Sequence, residues 1–118
     1  MRTRAQRWAE HAYNRVKDCA QRDKGKAQKY KDMALKFPVL VRQAGLSQAL
    51  AFVASRGEEA HKNLVGDLAQ TLGFKDLEDL AKEARNAKLP AYLRLTREVL
   101  GAAEWYKRFA QALIEEEK

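Results

Sequence analysis

Apolar residues recur along this chain at helical spacing, and the pattern breaks only at a few glycines and prolines. Ala5, Trp8, Ala12, Val16 and Cys19 lie three or four residues apart, which lays one buried stripe along a helix from about Thr3 to Arg22. Arg4, Arg7, His11, Arg15 and Arg22 follow the same spacing beside it, an adjacent solvent-facing strip that Asp18 interrupts. Asp23, Lys24 and Gly25 read as a turn, because a glycine near a helix end can take the left-handed conformation that closes it. Ala27, Tyr30, Ala34, Phe37, Val41 and Ala44 then keep the helical period straight through Pro38. Proline offers no N–H to the carbonyl of Ala34 and disfavours helical backbone at Phe37. The spacing therefore predicts a kinked helix, or two short helices in near register, ended by Gly45.

The second half reads the same way. Ser47 is placed as the cap of a third helix that runs to Arg56, with Leu46, Leu50 and Val53 inward and Ala49 and Phe52 widening the apolar face. Gly57 stops it, and Glu58 and Glu59 suit the positive first turn of a fourth helix. His61, Leu64, Val65, Leu68 and Leu72 share one face of that helix, which Gly73 ends. Asp76 is a good N-cap for a fifth helix, with Asp79 at the position where a capping box wants an acceptor. Pro90 suits the first turn of a last helix, which should reach about Glu116, roughly 40 Å at 1.5 Å per residue. Tyr92, Thr96, Val99, Ala103, Tyr106, Ala110 and Leu113 form one stripe of it; Leu95, Ala102, Trp105 and Phe109 form another. Two stripes call for neighbours on two sides, unless one is left for a different chain.

Composition narrows the class. Ala, Leu, Glu, Lys, Arg and Gln make up 74 of 118 residues, against ten Val, Ile and Thr. A sheet needs the second kind, so the expected fold is all-α: a compact single-domain bundle, residues 1–118, of about six helices with a long C-terminal helix. Cys19 is the only cysteine, which leaves no internal disulfide or cysteine-based zinc site and fits a reducing, cytoplasmic setting. The polar, Arg-rich start at Met1 to Glu10 has no apolar core of a secretion signal, and the longest later apolar run is Ala49 to Ala54, so no membrane partner is expected.

The net charge of +7 is unevenly placed. Residues 1–45 hold twelve Lys/Arg and four Asp/Glu, a net of +8, while the remainder carries −1. Arg4, Arg7, Arg15 and Arg22, continued across the turn by Lys24, Lys26, Lys29 and Lys31, form a basic strip able to neutralise consecutive phosphates without reading bases. A merely solvated basic face accounts for the same charge, and no exposed aromatic interleaving is evident for base stacking. Catalytic motifs are absent: there is no phosphate-binding glycine loop, no paired-histidine zinc motif and no nucleophile elbow. Glu58-x-x-His61 matches half of a di-iron pairing, but there is no second copy, and His61 reads as a residue near the core. Asp76, Glu78 and Asp79 read as a helix start, Cys19 as a small hydrophobe and His11 as a surface contact without a partner to orient it. No catalytic residue, metal or cofactor is expected.

The run Phe37-Pro38-Val39-Leu40-Val41-Arg42-Gln43-Ala44-Gly45-Leu46-Ser47-Gln48-Ala49-Leu50-Ala51-Phe52 resembles a segment of the small all-helical subunit of type III-B CRISPR effector complexes, the Cmr (RAMP module) complexes. Tyr92-Leu93-Arg94-Leu95-Thr96-Arg97 and Trp105-Tyr106-Lys107-Arg108-Phe109-Ala110 resemble its last-helix signature, with Tyr106 where the family often has Leu. These segments cover about a third of the chain. The resemblance implies a non-catalytic antiviral protein that packs in several copies beside the backbone and large subunits holding the guide RNA, and helps form the groove for target RNA. Phe37, Leu50, Phe52, Trp105 and Phe109 match positions assigned to the core. Arg42, Arg94, Arg97, Lys107 and Arg108 match polar positions and become candidates for subunit or RNA contact; the N-terminal strip rests on charge alone. A helical protein–protein adaptor without nucleic-acid contact is the alternative, and a small metal-dependent enzyme built on Glu58 and His61 a third reading.

Overall fold

The computed structural model describes residues 1–115, and within them the chain forms six α-helices and no strand. They are α1 (Arg4–Ala20), α2 (Lys24–Ala44), α3 (Leu46–Arg56), α4 (Glu59–Thr71), α5 (Leu77–Asn86) and α6 (Leu89–Leu113).

Local chemistry sets most boundaries. Thr3 caps α1 by accepting from the Gln6 N–H at 3.0 Å, and the Gln6 side chain accepts the Thr3 N–H at 2.7 Å, a reciprocal capping box. Asp76 accepts the Asp79 N–H at 2.8 Å, whereas the Asp79 carboxylate reaches one residue further back than expected, to the Lys75 N–H. After α4, Gly73 at φ +94° lets the Phe74 N–H reach the Ala69 carbonyl and its own N–H reach Gln70. That pair of bonds is a Schellman closure.

Four expectations are corrected. Lys24 and Gly25 lie inside α2, not in a turn before it, because the Asp23 carboxylate accepts from the Gly25 and Lys26 N–H groups and starts the helix there. Of the two outcomes expected at Pro38, two short helices do not form; one helix continues through it, with Phe37, Pro38 and Val41 all buried. Ser47 is not a cap, because Gly45 at φ +88° turns the chain directly into α3 and the Ser47 N–H donates to the Tyr92 hydroxyl at 3.0 Å. The last helix stops at Leu113 with Ile114 as its cap; Glu116, where it was expected to end, lies outside the described residues.

Helix α6 is the spine, packed by α1, α2 and α4, while α3 and α5 pair beside α4. Arg4 reaches Glu98, Trp8 lies against Gly101 and Tyr13 against Phe109, so α1 runs parallel to α6. Lys31 reaches the carbonyl of Ile114 and Ser47 meets Tyr92, so α2 runs antiparallel to it. The result is a slab of 43 × 40 × 23 Å whose core holds Tyr30, Phe37, Leu46, Leu50, Leu64, Leu68, Leu80, Val99 and Tyr106. Phe52 is not in that core: it is 48% exposed, since at 100° per residue it lies well off the Leu46, Ala49, Leu50 and Val53 stripe that α3 buries. Trp105 and Phe109 are half-buried, stacked on each other with Tyr13 edge-on to Phe109.

Candidate nucleic-acid interface

The basic strip of α1 and early α2 is drawn largely into the protein's own charge pairs. Arg4 bonds Glu98 on α6 at 2.8 Å, with its guanidinium over the Trp8 ring. Arg15 bonds Asp67 on α4 at 3.0 Å, Arg22 bonds Asp18 one turn back at 2.6 Å, and Lys29 bonds Glu58 at 2.7 Å. Arg7 donates to the Arg2 carbonyl, and Arg2 itself pairs with Glu10. Lys24 and Lys26 are exposed and have no carboxylate partner among the described residues. Lys31 leaves the strip altogether: it is 5% exposed, and its ammonium donates to the Ile114 carbonyl at 3.0 Å, where α6 ends. A cation there satisfies the orphan carbonyl and the negative end of the helix, so its role is structural.

Asp67 organises the ground beneath the strip. One oxygen accepts from Arg15 and the other from the buried Tyr30 hydroxyl at 2.8 Å. Burial pushes its carboxyl above the ordinary carboxylate range, against the pull of Tyr30 and Arg15. Burial likewise raises Tyr30 and Tyr106, and lifts the Cys19 thiol to about 11, which leaves that thiol protonated and inert at neutral pH. Recesses of about 350 and 450 Å³ flank the Arg15–Asp67 pair. Both mix acids with bases, so neither is a one-sign phosphate cradle.

His11 was expected on the surface beside the arginines. It is instead half-buried, with Nδ1 2.7 Å from the Thr71 hydroxyl, which also meets Tyr106 at 2.7 Å and the Asp67 carbonyl at 3.0 Å. Thr71 has one proton, and the Asp67 carbonyl can only accept it, so Tyr106 and His11 Nδ1 must both donate to Thr71. That leaves Nε2 to titrate. Burial first, and Arg15 second, lower the His11 pKa below its usual 6.5, with Asp67 opposing. A depressed histidine contributes stability that is present above its unfolded pKa and lost as pH falls through the folded value. The unfolding midpoint of His11→Asn, whose amide can replace the Nδ1 donor, should therefore fall less than that of the parent on acidification from about pH 7 to 5. Equal falls of the urea midpoint in parent and variant between the two pH values would refute this.

Glu58 and His61 are occupied locally. The Glu58 N–H donates to His61 Nδ1 at 3.1 Å at the start of α4, and Lys29 takes the Glu58 carboxylate and holds it below the usual range. No three metal-ligating side chains converge among the described residues, nor is any helix there long and apolar enough to cross a membrane.

The sequence profile of the family described as CRISPR-associated protein (Cas_Cmr5) matches residues 4–113. The chain belongs to the Cmr5 family. A protein of Thermus thermophilus named CRISPR system Cmr subunit Cmr5 is 68% identical over 116 residues, covering 98% of this chain and 100% of that protein. The X-ray crystal structure of a CRISPR-associated Cmr5 family protein, also from Thermus thermophilus and 67% identical, superposes with a TM-score of 0.91, covering 98% of this chain and 100% of the other.

Among the positions marked by the Cmr5 resemblance, Arg42, Arg94, Arg97 and Arg108 are exposed and Lys107 is half-buried. None has a carboxylate partner among the described residues, so the motif set keeps more unpaired charge than the N-terminal strip does. The pairs Arg4–Glu98, Arg15–Asp67 and Lys29–Glu58 span 94, 52 and 29 residues, and no local spacing announces them.

Proposed function

We propose that this chain is a non-catalytic structural subunit of a cytoplasmic type III-B CRISPR complex, an RNA-guided RNA-targeting ribonucleoprotein of antiviral defence. In this reading it packs beside the backbone and large subunits that hold the guide, next to further copies of itself, and its basic face lines the path of target RNA. The observation that carries the assignment is the 68% identity, end to end, with a protein named as a Cmr subunit. No cofactor enters, and guide and target RNA are met through the complex.

The charge pairs sort the RNA candidates. Arg7, Lys24 and Lys26 keep no carboxylate among the described residues, and Arg22 pairs only with an exposed Asp18, a bond worth little. Arg4, Arg15 and Lys29 must first release Glu98, Asp67 and Glu58. If three or four phosphates are neutralised, affinity of the isolated protein for single-stranded RNA should fall about 20- to 50-fold between about 50 and 200 mM salt. The triple variant R7E/K24E/K26E should flatten that dependence and stay folded, since acids at Lys24 and Lys26 fall in the first turn of α2, where the helix dipole favours them. Salt-independent binding, or full affinity in the variant, would overturn the RNA role. A protein that binds no RNA yet assembles with its partners would instead be the protein-only adaptor, which the internal charge pairs favour.

A further inference from the structure

Two helices present an apolar strip that no element covers among the described residues. On α2, Gln28, Lys31, Leu35, Val39 and Arg42 recur at spacings of three and four, so they share one stripe. Gln28 donates to the Glu115 carbonyl and Lys31 to the Ile114 carbonyl, which turns this stripe toward the edge shared with α6. Above those two anchors the stripe leaves the core: Leu35 is half-buried, Val39 is 48% exposed and Arg42 is exposed.

On α6, Leu89, Leu93, Leu100 and Lys107 share a stripe in the same way. Glu98, Gly101 and Phe109, which meet α1, occupy the opposite side, and Tyr92, which meets Ser47 at the end of α2, lies next to it. The stripe therefore borders the α2 edge. Leu89 is 68% and Leu93 49% exposed, while Leu100 is half-buried. Because α2 and α6 are antiparallel, the two stripes run side by side as a strip from Leu35 and Val39 through Leu100 to Leu93 and Leu89. It is about 27 Å long, taken as the 18 residues from Leu89 to Lys107 at 1.5 Å each.

The charge beside this strip is mainly positive: Arg42, Lys88, Arg97 and Lys107, against Asp32 and Glu104. Aligned exposed aliphatic side chains along two adjacent helices, flanked by cations, are the complement of one helix with an apolar face and acidic flanks. A phosphate backbone matches the cations but has no use for Leu89, Leu93 and Val39, which would stay in water or be covered by charge. We infer that the α2–α6 strip docks an acidic amphipathic helix of another protein subunit, and that Arg42, Arg97 and Lys107 steer a protein contact and not an RNA contact. The inference rests on the chain being a subunit of a larger complex.

The test places a benzophenone amino acid at Val39 and, separately, at Leu93 in the full chain expressed in its native complex, with Lys82 on the exposed face of α5 as a control. After irradiation, both strip positions should cross-link to one segment of one other subunit, in which apolar residues at helical spacing are flanked by Asp and Glu. Cross-links to RNA, to a second copy of this chain, or to nothing in a complex that has assembled would overturn the inference. Failure of the chain to co-purify with any other subunit would instead remove the proposed function beneath it. The double variant R42E/R97E should weaken retention in the complex about tenfold with unchanged helical circular dichroism, and undiminished retention would also overturn the inference.

Discussion

Replacing Phe37 by Ala should lower the unfolding free energy by about 3–5 kcal/mol. Phe37 has no solvent exposure and sits one residue before Pro38, at the place where α2 lacks the hydrogen bond that the proline nitrogen cannot give to Ala34. A helix weakened in its own ladder is held there by what it packs against, and α2 touches α3, α4 and α6. Removing the ring takes away the transferred area and leaves a cavity beside backbone that has no spare bond with which to close it. Urea melts followed by circular dichroism measure the loss. A change below about 1 kcal/mol would mean that the α2 register does not depend on this side chain. By contrast, Phe52→Ala should cost well under 1 kcal/mol, since that ring already meets water.

These two phenylalanines mark how far periodicity reads. Both belong to runs with sound helical spacing, yet one is central and the other exposed, because α3 is only 11 residues long and buries a narrow stripe. The six helices and the place of Tyr30, Leu64 and Val99 in the core were legible, since three- and four-residue spacing fixes a face without reference to anything else. Gly25 and Ser47 were misread for a different reason. Each lies beside a second residue with an equal claim to the boundary, Asp23 and Gly45, and local sequence does not rank an Asp cap against a Gly close. Lys31 was illegible as a buried residue: only the antiparallel seating of α2 brings it to the end of α6, 83 residues away in sequence.

The same limit shaped the basic strip. Its spacing on α1 was correct, but spacing cannot say that Glu98 and Asp67 come across from α6 and α4 to meet Arg4 and Arg15. Net charge over 45 residues therefore overstated the positive charge left for a partner. Binding tests aimed at Arg15 would report on the fold, because an acid there would face Asp67 at the distance now occupied by a guanidinium. Arg42 and Arg97, by contrast, are exposed, and no carboxylate of the described residues draws them in.

Asp67 itself yields the second large effect. Asp67→Ala is expected to cost about 2–3 kcal/mol, chiefly because the hydroxyl of Tyr30, a residue only 2% exposed, would lose its only acceptor among the described contacts. The Arg15 bond adds little to that figure, because Arg15 retains 41% side-chain exposure and water can solvate it. Asp67→Asn separates the two contributions: its amide oxygen can still accept from Tyr30, while the charge is gone. Burial raises the Asp67 pKa, so the ionised form contributes less than a neutral acceptor would. A group raised in this way favours the fold most below its unfolded pKa, and that advantage fades as pH climbs through the folded value. At neutral pH, Asp67→Asn should therefore lose less than about 1 kcal/mol, while Asp67→Ala loses the full amount. Equal losses in the two variants, read from urea melts at pH 7, would show that the Arg15 ion pair and not the Tyr30 hydrogen bond ties α4 to the α1–α2 face.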